Sequence, residues 1–194
     1  FMEGRTMVLR MRGCKVVTYR LVTMRDFRSR WLHAWAALMQ EPFKVHRKLW
    51  EYAAIVNVLD FYGLLKSGRA GLGFGVGTEP LVSLFAGLGA DIVATDLSSE
   101  DLRVKLWASD QQHAAAKSAM HKPNIVLWRD FDKKVTFEAV DMTAIPAKFH
   151  GQFDFVWSCS SLEHLGSIEN GLQFLRNTLE CLKPGGLSIH TTEY

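Results

Sequence analysis

The sequence predicts an α/β domain: a mainly parallel sheet with helices on both faces and further helices ahead of it. Three observations carry that expectation. Gly71-Leu-Gly-Phe-Gly-Val-Gly-Thr-Glu-Pro80 reads as strand, turn and helix start, with Gly at 71, 73, 75 and 77. An apolar helix and a short buried strand, Asp91-Ile-Val-Ala-Thr-Asp96, follow and end in an acid. Two more strand-like runs, Val135–Val140 and Gln152–Ser158, then alternate with loops and helices.

The glycine passage organises the rest. Glycine weakens strands and helices alike, by roughly 0.5–1 kcal/mol each against Ala. Such a run makes sense where the backbone must turn sharply and lie against a ligand. Thr78 is a good N-cap, Glu79 falls in the first turn and Pro80 is tolerated there. Leu81–Ala86 runs apolar until Gly87 and Gly89 stop it. Asp96 then stands where a βαβ unit holds a ribose hydroxyl pair. A dinucleotide would need G-x-G-x-x-G, but Val76, Thr78 and Pro80 occupy the third glycine position in every register. Glu79 would also repel a pyrophosphate at the helix start. That argues against an NAD-dependent oxidoreductase. A ligand with a ribose and an ammonium suits the loop better.

A chain of 194 residues can build one domain with a real core. Its hydrophobic content of 48% and charged content of 22% are those of a globular protein. No apolar run is long enough to span a membrane, and no signal-peptide pattern is present, so a reducing cytoplasm is the expectation. Cys14, Cys159 and Cys181 are scattered, with neither disulfide nor metal-ligand spacing. Charge is uneven: residues 1–48 carry 11 Lys and Arg against 3 acids, whereas the whole chain nets only +3. A basic arm can meet an anionic partner, or simply be a solvated face. Without a nucleic-acid motif, nucleic acid is not favoured.

Residues 1–24 read as an N-terminal arm, with a hairpin or disorder over 6–22, and 25–194 as the domain. Within it, 25–63 form lid or packing helices and 64–194 the α/β core. Asp26 can cap a helix whose apolar positions are Phe27, Trp31, Trp35 and Leu38. Glu41-Pro42 breaks it. A second helix presents Val45, Leu49, Tyr52, Ala53, Val56 and Leu59, and stops at Gly63. Trp50 and Tyr52 either line a pocket or pack onto the core. After Asp96, helices are expected from Glu100 to Trp107 and from Ser109 to Met120. Residues 125–133 read as irregular. A helix from Ile168 to Leu182 leads through Lys183-Pro-Gly-Gly186 to a fifth strand, Leu187–Thr192.

Over about residues 43–194 these motifs, in order, resemble the class I S-adenosylmethionine-dependent methyltransferases, with Gly73-Phe-Gly-Val-Gly77 as the G-x-G-x-G motif. Asp96 matches the acid ending the second strand, Asp141-Met142 the loop after the third, Phe153-Asp-Phe-Val156 the fourth strand, and Leu182-Lys-Pro-Gly-Gly186 the turn before the fifth. The resemblance implies a Rossmann-like three-layer sandwich and S-adenosyl-L-methionine as cofactor. It implies a cofactor site of Gly73, Phe74, Gly75, Gly77, Glu79, Asp96, Leu97, Asp141, Met142 and Ser158. The family's acid two residues before the first motif glycine is replaced here by Gly71, and Glu79 is the nearest acid that could serve instead. The family has seven strands, and the last two are not expected here. The expectation is therefore a homo-oligomer or a partner chain covering the fifth strand, or else a fragment of a longer protein.

Some relatives place a Glu-His pair after the fourth strand, matched by Glu163-His164. His164 is thus the candidate base, since neutral imidazole accepts a proton near pH 7; otherwise it only positions the loop. The upstream carboxylate of a metal site is missing from Ser158-Cys-Ser-Ser161, so no metal is expected. The implied function is methyl transfer to a small-molecule or carbohydrate-like acceptor. The alternative is a non-catalytic cofactor-binding module whose basic arm recruits an anionic partner.

Overall fold

The computed structural model describes residues 19–98 and 117–193. The expected arm over 1–24 lies mostly outside them, as do the helix expected at 100–107 and most of that expected at 109–120. Two helices come first, α1 (Arg30–Leu38) and α2 (Arg47–Phe61), then β1 (Ala70–Phe74), α3 (Leu81–Gly87) and β2 (Asp91–Asp96). Next are α4 (Trp128–Lys134), β3 (Val135–Ala139), β4 (Phe153–Cys159), α5 (Ile168–Glu180) and β5 (Leu182–Thr191). Among the described residues the five strands form one sheet in the order β3-β2-β1-β4-β5. Every pairing is parallel. Parallel pairing forces each connection across a face, which places helices on both sides.

β1 is a poor strand by propensity, and its neighbour explains why it forms. A Cβ at Gly71 would lie 2.3 Å from Phe155 Cζ, and one at Gly73 2.4 Å from Trp157 Cζ2. These two glycines make room for the aromatic rings of β4. They correct the expectation that the whole glycine run serves a ligand. Phe155 and Trp157 meet Phe85 of α3 edge-on at 5.7 and 5.0 Å. That face continues into Leu32, Leu49, Ile55 and Phe131 of the flanking helices. On the other face Leu72, Phe74 and Val156 pack under Phe174 of α5.

Several boundaries differ from the sequence reading. Asp26 does not cap α1. Its buried carboxylate accepts from the Thr23 N–H and hydroxyl at 2.8 Å, and Ser29 precedes the helix. The buried stripe of α1 is Leu32 and Ala36, with Trp31 and Trp35 only partly covered. Thr78 does not cap α3 either: the helix starts after Pro80, because Glu79 turns inward to reach Trp157. Helix α4, held by the fully buried Phe131, occupies most of the 125–133 stretch read as irregular. At the start of β5, the Lys183-Pro-Gly-Gly turn bulges out between the pairs Phe153–Leu182 and Phe155–Leu187.

Candidate cofactor site

In a parallel sheet the carboxyl ends of all strands point one way, and the loops that follow share one edge. Here they surround a cavity of about 710 Å³. Gly75 and Gly77, just past β1, have φ of +57° and +50°, where a side chain is disfavoured. At Gly75 a Cβ would also come within 2.8 Å of Ser161. So the second half of the glycine run does make the sharp turn, and both residues line the cavity. The Val76 N–H donates to the Thr95 carbonyl at 3.2 Å and fixes the turn to β2.

Asp96 closes β2 and is oriented by backbone donors on both oxygens. The Gly77 N–H reaches Oδ2 at 3.1 Å and the Leu97 N–H reaches Oδ1 at 2.9 Å. Asp141, two residues beyond β3, accepts from the Thr143 N–H at 2.8 Å and its hydroxyl at 2.7 Å. Leu97, Asp141 and Met142 all line the cavity with Asp96.

Glu79 lines it too, with only 7% of its surface exposed. Oε1 accepts from Trp157 Nε1 at 2.9 Å. Burial pushes its carboxyl up to about 8, assisted by the charges of Asp96 and Glu51 and opposed by the indole hydrogen bond and Lys48. His164 ends a short turn after β4, its N–H bonded to the Ser161 carbonyl at 3.2 Å, and it faces the cavity.

Three expected site residues lie elsewhere. Gly73 backs onto Trp157, as above. Phe74 is fully buried against Phe174, at 5.3 Å. Ser158 is fully buried, its hydroxyl 2.8 Å from Nδ1 of His190. Strand alternation is the reason: Ser158 points to the α5 face, so Cys159 to Ser161 line the cavity instead. Ser160 adopts φ +46° there, rare for a non-glycine residue. Sequence reasoning missed Lys48 and Glu41 and left Tyr52 open; all three line the cavity. Lys48 and Tyr52 are one turn apart on α2, and that i, i+4 spacing was the available signal. Burial raises the Tyr52 phenol, with Glu79 adding to the effect, so it stays a donor.

A strand-end carboxylate held by two backbone N–H groups, a glycine turn and a buried glutamate suit a ligand with a ribose and a cationic end. The same acids are wrong for a pyrophosphate. Among the described residues no group of three or more His, Cys, Asp or Glu is arranged to hold a metal ion.

A family description, "Methyltransferase domain", matches residues 72–190, more than half of the chain. The chain belongs to that family, the S-adenosylmethionine-dependent methyltransferases whose motifs it carries. A search of curated proteins finds no match. Among solved structures, the chain is similar to YcgJ of Bacillus subtilis, at 13% identity and TM-score 0.49, over 74% of this chain and 50% of that one. An S-adenosylmethionine-dependent methyltransferase of Mesorhizobium loti is 20% identical at TM-score 0.48, over 71% and 52%. The CcbJ methyltransferase of Streptomyces caelestis is 19% identical at TM-score 0.46, over 72% and 50%. The chain thus spans about half the length of these structures.

Proposed function

We propose that this chain transfers a methyl group from S-adenosylmethionine to a small-molecule or carbohydrate-like acceptor. The observation that carries the reading is the gathering of Glu79, Asp96, Asp141 and His164 around one cavity from four separate stretches of chain. When bound, the cofactor supplies an electrophilic methyl group on a sulfonium. Asp96, oriented by the Gly77 and Leu97 N–H groups, would accept from the ribose hydroxyls. Asp141 faces the adenine amino group, with Met142 against the ring. Glu79 takes the ammonium in place of the family acid that Gly71 replaces. The wall of Cys159, Ser160, Ser161 and His164 is left for the acceptor, and His164 would take its proton as the methyl–sulfur bond breaks and the thioether product is left. Tyr52 and Lys48 of α2 close the cavity from above the sheet edge.

Among the described residues no helix is long and apolar enough to cross a membrane. Cys159 and Cys181 are free and buried, which suits a reducing compartment, and we place the protein in the cytoplasm. β5 is an edge of the described sheet and is a surface on which another strand or chain could pair.

The test is calorimetry with S-adenosylmethionine. Asp96→Ala is expected to weaken binding by about 1.5–3 kcal/mol, the range for a hydrogen bond to a charged group. Unchanged affinity in this variant removes Asp96 from the site.

A further inference from the structure

Glu79 is built unlike the other acids of the cavity. Asp96 and Asp141 sit at the rim and collect backbone N–H donors. Glu79 is buried, and the donor on its Oε1 is a neutral indole N–H from the fully buried Trp157. The groups facing it come from three elements. From α2 come Lys48, Glu51 and Tyr52; from the end of β2, Asp96; from β4, Cys159. Lys48 is the single cation in that set. Glu51 is already engaged, accepting from Arg47 at 2.9 Å and from the Ser160 hydroxyl at 2.6 Å. Glu41 and Lys122, one of each sign, also line the cavity. Among the described residues, Lys48 is the one cation set against this carboxylate, beside Glu51 and Asp96, and a ligand cation would change that balance.

We propose that Glu79 is a proton-coupled counter-charge for the amino-acid end of the cofactor: neutral in the free protein, ionised once the ammonium is seated, so that binding expels one proton. This rests on the function proposed above and deepens it. The direction of the Glu79 shift agrees with the geometry, since burial favours the neutral acid and an incoming cation the ion. Linkage then fixes the sign: a ligand that binds the ionised form binds more tightly as pH rises toward the carboxyl's free-state value of about 8. Between pH 6 and 7.5 the affinity should rise up to roughly tenfold per pH unit.

The experiment is titration calorimetry of the full chain at pH 6.5 in buffers of different ionisation enthalpy. The ligands are S-adenosylhomocysteine, which keeps the ammonium, and adenosine, which lacks it. The slope of observed heat against buffer enthalpy counts protons. The expected result is close to one proton released with S-adenosylhomocysteine and none with adenosine. Glu79→Gln, which still offers Trp157 an acceptor, should bind S-adenosylhomocysteine more weakly, with no proton release and a flat pH profile. If the wild-type protein binds S-adenosylhomocysteine without releasing a proton, the inference is overturned while the proposed function stands. Equal proton release from the Gln variant likewise overturns it, by placing the titrating group elsewhere. Failure to bind either ligand overturns the proposed function and this inference together.

Discussion

Asp154 is the second residue of β4, and Glu79 meets the same strand near its other end, at Trp157. Both acids are largely covered, with 8% and 7% of their surfaces exposed, but Asp154 lies near the surface and Glu79 lies deep. Burial acts on both in the same direction, yet they move apart. Asp154 accepts from the Ala70 N–H at 2.9 Å, from Arg69 at 2.7 Å and from Lys183 at 2.9 Å. Burial pushes its carboxyl up, but those three donors outweigh it and bring it down to about 2. Glu79 has the indole hydrogen bond and a more distant Lys48, and rises to about 8. What separates them is depth together with charged donors: Glu79 is enclosed and, among the described residues, has no charged donor on it, whereas Asp154 lies near the surface with two. The Asp154 end of the sheet is electrostatically complete on its own, and the Glu79 end awaits a cation. Substitutions at the first end should act on stability, and at the second on chemistry and its pH dependence.

The largest effect is expected where the cavity meets the acceptor. With an acceptor found by screening small molecules and sugars, His164→Ala should lower turnover by about 10²–10⁴-fold, the usual contribution of a general base. Cofactor affinity and melting temperature should hardly change, because His164 is exposed on a short turn. A lowered melting temperature with normal turnover per folded molecule would make His164 a loop-positioning residue.

The next effect compares the two acids directly. The Glu79 carboxyl is raised in the fold above its ordinary 4.5, so the folded protein binds more protons than the unfolded chain between about pH 4.5 and 8. Stability of the free protein should therefore fall as pH rises through that window. Glu79→Gln should remove that slope and leave the variant more stable at pH 8, by on the order of 4 kcal/mol. Denaturant unfolding at pH 5, 6.5 and 8 reads this out; parallel curves for the two proteins would contradict it.

Asp154 should behave in the opposite sense. Its folded value is depressed, so its contribution is fully present above about pH 4 and is lost as pH falls toward 2. Asp154→Ala leaves Arg69 and Lys183 without their shared partner and should cost about 2 kcal/mol at neutral pH. Cofactor affinity should be untouched. A loss of stability equally large at pH 2 would show that packing, and not charge, is what Asp154 provides.

The same contrast explains what could be read from the sequence. Strand order along the chain, the parallel sheet and the acids at strand ends were legible because each depends on local pattern: a glycine turn, a short apolar run, an acid that closes it. That the loops after β1, β2, β3 and β4 share one edge was also legible, because parallel strand ends point one way. What was not legible depends on partners far away in sequence. Gly71 and Gly73 look identical to Gly75 and Gly77 until Phe155 and Trp157 of β4 are laid beside them. Helix α4 lacks a side-chain cap bond and is kept by burying Phe131. The pocket role of Lys48 needs α2 to be docked over the sheet edge. Asp154 passes in sequence as one more strand residue, because Arg69 and Lys183 are distant from it along the chain.

The smallest effect concerns Ser158, one of the strand positions expected in the site that lie away from the cavity. Ser158 stands beside Cys159 at the end of β4, and a site assignment has to choose between neighbours that point in opposite directions. Ser158 points toward α5. Its hydroxyl meets Nδ1 of His190, whose Nε2 lies 2.6 Å from the Ser188 hydroxyl and 3.4 Å from that of Thr178. Burial takes that imidazole down to about 3, so the ring is neutral throughout the working range, with hydroxyls at both nitrogens. Ser158→Ala removes one of these hydroxyls and leaves a methyl group in its place. The hydrogen bonds at Nε2 survive, and a neutral ring loses less than a charged one. The cost should therefore be about 0.5–1.5 kcal/mol of stability, the net value of one neutral hydrogen bond. Affinity for S-adenosylmethionine should stay within twofold of wild type, because the cavity wall at this point is made by Cys159, Ser160 and Ser161. Calorimetry on Ser158→Ala beside Asp96→Ala separates the two faces of the sheet. If Ser158→Ala weakens cofactor binding as much as Asp96→Ala does, the side-chain direction at the end of β4 is wrong, and the β4 wall of the site must be redrawn with it.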